Sequence, residues 1–280
     1  MGVFYPRMER NGHMEVVQRH FGRIDRAPAD VPAEIKFVFL CYTNRCGSNF
    51  LADLLVSTRR FRRAGEFLNH STVVPMAIEH GHRSIQEYFS WQVRRRATGR
   101  NIVACKLAIP HLEMLGESGL LDQILNRSHF VFLTREDTLG QAISFEIARQ
   151  TGLWSSRMPG SPNSQLPVYN ARRLRGAMAS IRKNNHQFED FFDANRIDPV
   201  RVVYERLVVE PEPYVREIGR TVGFLRLKVD PTRMSLQRQS NSLNSEWAAR
   251  FQAESATTPF GAGLGRILSR IGDMKRVFWP

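Results

Sequence analysis

Between Tyr42 and Asn49 the chain reads Tyr-Thr-Asn-Arg-Cys-Gly-Ser-Asn. This polar turn lies between an apolar run, Phe37-Val38-Phe39-Leu40, and a helical pattern with Phe50, Leu51, Leu54 and Leu55 on one face. Strand, tight turn and helix together make an anion cradle, because the first N–H groups of a helix lack intrahelical acceptors and its dipole favours negative charge there. Arg45 adds a cation, Ser48 a hydroxyl, and Gly47 lets the backbone come close to the ligand. The nucleoside triphosphatase loop needs two glycines bracketing four residues, then Lys and Ser or Thr. Here there is one Gly and no Lys, so the turn suits a phosphate-like group without the pattern of a magnesium site.

A second anion site is expected at Arg135 and Ser144. Arg135 follows the apolar run Phe130-Val131-Phe132-Leu133, at the strand end where parallel α/β sheets bind ligands. Ser144 falls about two turns into the next helical pattern. The three cysteines, Cys41, Cys46 and Cys105, fit neither a disulfide framework nor a zinc spacing. Cys46 reads as a small residue tolerated in the loop rather than a nucleophile. The eight His residues show no metal spacing; His80, His82 and His111 fall in predicted turns, with surface or capping roles.

The elements that must position these residues alternate. Strands are predicted at the start of 36–58, at 102–107, at 130–133 and at 200–204. Helices are predicted at the end of 36–58 and over 84–97, 112–125 and 170–194, with another from Pro211; a further helix follows Asp137, its expected N-cap, with Leu139, Ala142, Ile143 and Ile147 inward. Alternation of this kind argues a parallel sheet with crossover helices, an α/β class with a P-loop-like first turn. A loop over 155–167, rich in Ser, Pro and Gly, is long enough to serve as a lid. One domain is expected, with a core of about 34–253, an irregular or partly helical arm at 1–33 and a tail at 254–280; the pattern over 237–280 is ambiguous.

The composition is that of a globular protein, 42% hydrophobic and 24% charged over 280 residues. No apolar run reaches a membrane-spanning length and the first residues lack the apolar core of a signal peptide, so a soluble, cytoplasmic protein is expected. A net charge of +13 argues for an anionic ligand, nucleic acid or a negative surface. Neither an RNP-type aromatic signature nor a zinc-finger spacing is present, and no stable nucleic-acid partner is expected.

Taken in order, these motifs resemble the carbohydrate sulfotransferases of the trehalose 2-sulfotransferase type. That family's donor loop, like Arg-Ser-Gly-Ser-Thr, is matched by Arg45-Cys46-Gly47-Ser48-Asn49, and its Ala-Gly-Glu by Ala64-Gly65-Glu66. Its Arg-x-Asp and Gln-Ala-Val-Ser are matched by Arg135-Glu136-Asp137 and Gln141-Ala142-Ile143-Ser144. Gln150-Thr151-Gly152-Leu153-Trp154, Arg238-Gln239-Ser240-Asn241 and Glu246-Trp247 follow in order, so the likeness runs from 36 to about 253. Departures are Cys46 for a small hydroxyl residue, Asn49 for Thr, and Phe67 where a Pro usually follows the glutamate.

The resemblance implies a sulfotransferase fold and 3′-phosphoadenosine-5′-phosphosulfate (PAPS) as donor. It implies in-line transfer without metal to a sugar or glycolipid hydroxyl, leaving adenosine 3′,5′-bisphosphate. Arg45, Cys46, Gly47, Ser48 and Asn49 would hold the 5′ group, with Arg45 neutralising the leaving oxygen. Arg135 and Ser144 would hold the 3′-phosphate, Arg238 would join the donor site, and Glu66 would be the general base. Trp154 is either a sugar platform or a core residue, and Lys106 either reaches the site or is a surface lysine. The resembling enzymes form dimers, and a homodimer is expected here. Two other readings are a nucleotide-dependent kinase and an inactive basic module that binds polyanions. The missing loop Lys, and Thr134 in place of a magnesium-binding Asp, argue against the kinase.

Overall fold

A computed structural model describes residues 2–154, 166–234 and 242–256. The chain divides into two compact units, Met1–Arg135 with Arg182–Leu236, and Glu136–Ile181 with Gln237–Pro280. The first unit is built on a four-stranded sheet of β1 (Lys36–Tyr42), β2 (Ile102–Leu107), β3 (Ser128–Thr134) and β4 (Val200–Val203). The strands run parallel in the order β2-β1-β3-β4. Cys41 pairs with Leu107, Tyr42 with Leu133 and Thr134 with Val203, so the four carboxyl ends finish at one edge. This is the predicted α/β parallel sheet flanked by helices.

The helices are α1 (Gly12–Phe21), α2 (Ser48–Ser57), α3 (His70–His80), α4 (Ile85–Arg96), α5 (Ile109–Glu117), α6 (Leu120–Ile124), α7 (Thr138–Thr151), α8 (Ala171–Ala194), α9 (Tyr204–Val209), α10 (Pro211–Thr221) and α11 (Ser242–Ala256). Among the described residues no helix is long and apolar enough to cross a membrane.

Period-two alternation along β1 supplies both core layers of the first unit. Phe37, Phe39 and Cys41 face a layer that includes Tyr88 and Phe89 of α4 and Phe188, Phe191 and Phe192 of α8. Rings stack along the sheet there, Phe37 on Phe39 at 5.7 Å and Phe39 on Phe130 at 5.6 Å. Val38, Leu40 and Tyr42 face the opposite layer with Leu51, Leu54 and Leu55 of α2 and Val215 and Ile218 of α10. Each such side chain contributes about 1.5–3 kcal/mol on full burial. The second unit packs Leu139 and Ile143 of α7 and Leu174 of α8 with Trp247 and Phe251 of α11.

The arm at 1–33 carries α1, pinned through a buried imidazole cluster. His13 accepts a hydrogen bond from the His70 backbone N–H at 3.1 Å, and its ring lies 5.4 Å from that of His70 and 5.0 Å from that of His111. His111 accepts the Ala108 N–H at 3.3 Å, the capping role expected of it, but it is buried rather than on the surface. Burial lowers His13 to about 2 and His111 to about 3, with neighbouring imidazoles adding to the effect.

Three differences from the sequence reading stand out. The helix expected over 112–125 is broken into α5, α6 and a 3-10 turn, because Gly119 is left-handed at φ 74°. Tyr204, expected in a strand, opens α9 with no intervening turn. Helix α3, which starts from Asn69 as N-cap, was not expected. Residues 155–165 of the proposed lid, Arg238 and its neighbours, and 257–280 of the tail lie outside the described residues.

Candidate active site

The turn after β1 owes its shape to two left-handed residues, Arg45 at φ 65° and Gly47 at φ 98°. A Cβ on Gly47 would lie 2.2 Å from Cδ2 of Tyr204, so the aromatic ring occupies the space that any side chain would need. Gly47 is also the N-cap of α2 and supplies no side-chain cap, and its carbonyl accepts from Phe50 and Leu51. The amino end of α2 therefore has no side-chain cap from its N-cap residue, the arrangement in which helix N–H groups can meet an anion. Cys46 is fully buried and its thiol is pushed up to about 11 by burial, so it stays protonated at neutral pH.

Arg135, just past β3, meets this turn. Its Nη1 donates to the Arg45 carbonyl at 3.4 Å, its guanidinium lies over the Tyr204 ring at 5.2 Å, and its Nε is 3.8 Å from Glu205 Oε1. Burial lowers the Arg45 pKa, and the Arg135 cation lowers it further. The Arg135 guanidinium thus lies near enough to Arg45 to disfavour its charge beside the start of α2.

Glu66 arrives by a separate route. Gly65 bridges to Cys105 as a short parallel partner of β2, and the Lys106 N–H donates to the Gly65 carbonyl at 3.0 Å. This sets Glu66 beside Lys106, whose ammonium is 3.2 Å from Glu66 Oε1 and also donates to Asn49 Oδ1. Lys106 is buried, with its ammonium 5.7 Å from the Tyr42 ring centre. Its pKa is lowered by burial and supported by Glu66. Tyr42 is raised by burial first, then by its contact with the same carboxylate. One lysine therefore touches Asn49 at the start of α2 and the carboxylate at once, and it is buried rather than a surface lysine.

The first unit thus brings together Arg45, Cys46, Gly47, Ser48, Asn49, Glu66, Lys106 and Arg135. Ser144 and Trp154 belong to the second unit. Trp154 is part-exposed, 5.9 Å from the Phe145 ring. There the buried Glu146 takes Arg149 at 2.7 Å and Arg173 at 3.6 Å, and Gln150 both donates to and accepts from the Val168 backbone. Trp247 of the Glu246-Trp247 motif is a core residue against Tyr169. Among the described residues no group of three or more His, Cys, Asp or Glu could hold a metal ion.

Sequence reasoning missed Tyr204, Glu205 and Tyr42. The available signal was position: Tyr204-Glu205 directly follows the fourth apolar run, at the same sheet edge as the other strand ends.

The family model of the Stf0 sulphotransferases matches residues 68–254. That span holds Lys106, Arg135, Ser144, Trp154 and Arg238, while the turn after β1 and Glu66 precede it. A trehalose 2-sulfotransferase of Mycobacterium tuberculosis is 30% identical over 137 residues, covering 49% of this chain and 50% of that protein. One from Mycolicibacterium smegmatis is 24% identical over 143 residues, with the same two coverages. The chain thus spans about half the length of the curated relatives it matches. A sulfotransferase from Alicyclobacillus acidocaldarius aligns at 16% identity and TM-score 0.42, over 80% of this chain and 94% of that one. The sulfotransferase domain of the Synechococcus PCC 7002 olefin synthase aligns at 13% and 0.41, over 80% and 98%.

Proposed function

Because the chain belongs to the Stf0 sulphotransferase family, we propose that it moves a sulfuryl group from PAPS to a hydroxyl of a carbohydrate or glycolipid. The observation that carries this reading is the meeting of Arg45 and Arg135 beside the start of α2, two cations next to helix N–H groups that Gly47 caps with no side chain.

In this reading the acceptor oxygen attacks sulfur in line as the bond from sulfur to the bridging phosphate oxygen breaks. The acceptor proton goes to Glu66, and the charge left on adenosine 3′,5′-bisphosphate is met by Arg45 and the loop N–H groups. Gly47 and Ser48 hold the 5′ group, and Arg135 serves the 3′ end. Lys106 keeps Glu66 and Asn49 in register, so base and donor loop are set by the same ammonium.

Thermal melting with candidate donors tests the reading. Adenosine 3′,5′-bisphosphate without magnesium should stabilise the protein by about 2.7 kcal/mol at a hundred times its Kd. Mass spectrometry of a sugar panel incubated with PAPS should then show a donor-dependent sulfate. Stabilisation by ATP only with magnesium would point to a kinase instead.

A further inference from the structure

The amino end of the sheet, opposite the candidate active site, gathers cations from three separate segments. Arg60 follows α2, Arg100 precedes β2, and both guanidiniums lie over the ring of Phe224, just beyond α10, at 6.0 and 5.2 Å. Phe61 packs edge-on against the same ring at 5.8 Å, and Arg62 donates to the Arg95 carbonyl at 2.9 Å. These contacts make one continuous surface. Directly after Phe224, Leu225 is 86% exposed and is followed by the exposed Arg226.

The charges here are not balanced. Neighbouring arginines have carboxylate partners: Arg63 with Asp53, Arg59 with Asp230 and Arg94 with Asp30. Arg60, Arg62, Arg95, Arg100 and Arg226 are exposed and form no ion pair with any described residue. Guanidiniums propped on a buried ring are held outward with little freedom left to lose. An outward leucine among unneutralised guanidiniums matches the interface of an anionic bilayer, where phosphates take the cations and the acyl boundary takes the leucine. Single-stranded nucleic acid would ask for an exposed aromatic platform, and Phe224 is buried under its arginines.

We propose that this face docks the protein on an anionic lipid surface. The turn after β1, Glu66 and Lys106 sit at the carboxyl ends of the strands, so docking leaves them turned away from the lipid. If the proposed transfer is right, a docked enzyme draws its acceptor from water rather than from the bilayer beneath it.

The test is co-sedimentation of the full chain with vesicles of phosphatidylglycerol and phosphatidylcholine, against phosphatidylcholine alone. Binding is expected only to the anionic vesicles and should weaken with salt. Arg60→Gln, Arg100→Gln and Arg226→Gln should each lower the partition coefficient by roughly fivefold. Leu225→Ser should lower it further without changing the salt dependence, and all four variants should keep the parent melting temperature and their stabilisation by adenosine 3′,5′-bisphosphate. No binding to anionic vesicles would overturn the proposal, as would binding indifferent to these changes. Tighter capture of duplex DNA than of vesicles, unaffected by Leu225→Ser, would reassign the face to nucleic acid. The vesicle and DNA readouts do not depend on donor binding or transfer, so this proposal and the catalytic one can fail separately.

Discussion

The ammonium of Lys106 lies 3.2 Å from Glu66 Oε1, on a side chain that is only 4% exposed, while the carboxylate it meets is 37% exposed. The pair is lopsided: the cation depends on its partner for solvation, and the carboxylate has water as an alternative.

That asymmetry predicts a double-mutant cycle. Glu66→Gln strips a buried ammonium of its counter-charge and should destabilise the fold by about 1–2 kcal/mol after allowance for water around the carboxylate. Lys106→Met should cost less, since the exposed partner rehydrates. The double variant should be more stable than the sum of the two, with a coupling of about 1 kcal/mol in denaturant unfolding. Turnover should still fall roughly 10²–10⁴-fold in every variant lacking Glu66. Additive stabilities would mean that the contact has no energetic weight, and undiminished turnover would remove Glu66 from the chemistry.

Tyr204 predicts the fate of Gly47. Gly47→Ala puts a methyl group 2.2 Å from the ring at a φ of 98°, so steric and backbone strain act together. A loss of about 1–3 kcal/mol and a much weaker response to adenosine 3′,5′-bisphosphate are expected. In a Tyr204→Ala background the additional loss on Gly47→Ala should shrink to the backbone part alone. Equal losses in both backgrounds would show that the ring is not what excludes a side chain.

In the proposed reading Arg135 serves the 3′ end of the donor, and its removal tests that. Arg135→Ala should weaken adenosine 3′,5′-bisphosphate by about 1.5–3 kcal/mol, as loss of a charge-assisted contact does. An analogue without the 3′-phosphate should lose much less by calorimetry. Because Arg135 also touches the Arg45 carbonyl, equal losses for both ligands would place it on the 5′ side instead.

The buried imidazoles set an acid limit on stability. His13 and His111 are held far below the ordinary value of 6.5, so the unfolded chain binds protons that the folded chain refuses. Their contribution is complete above that pH and is lost as pH falls toward the folded values, by about 1.4 kcal/mol per pH unit for each ring. Urea unfolding of the parent between pH 6.5 and about 4.5 should show this slope, and His13→Gln should roughly halve it. A slope that His13→Gln leaves intact would put the acid sensitivity elsewhere.

The strands at 36–42, 102–107 and 128–134 were legible because their apolar runs are continuous, as strands buried on both faces must be. The helix α3 was not: it carries Pro75 and adjacent Val73 and Val74, and little in the segment repeats at helical spacing. Local signals located Arg45, Gly47 and Arg135 through the strand–turn–helix pattern. Lys106 stayed ambiguous and Tyr204 invisible, because each acquires its role from a partner remote in sequence: Glu66 for one, Gly47 for the other. The imidazole cluster was hidden for the same reason, joining residues 13, 70 and 111 from three helices.

Gln150 grips the backbone of Val168 with both ends of its amide, donating at 3.0 Å and accepting at 2.8 Å. An amide bonded at both ends holds the main chain of Val168 against α7 as a neighbouring strand would, so Gln150→Glu, which has no N–H to give, should break one of the two bonds and loosen that edge. Ala142, Ala177 and Ile181 would go on holding α7 and α8 together, so the change should be felt at Val168 and not in the packing of the two helices.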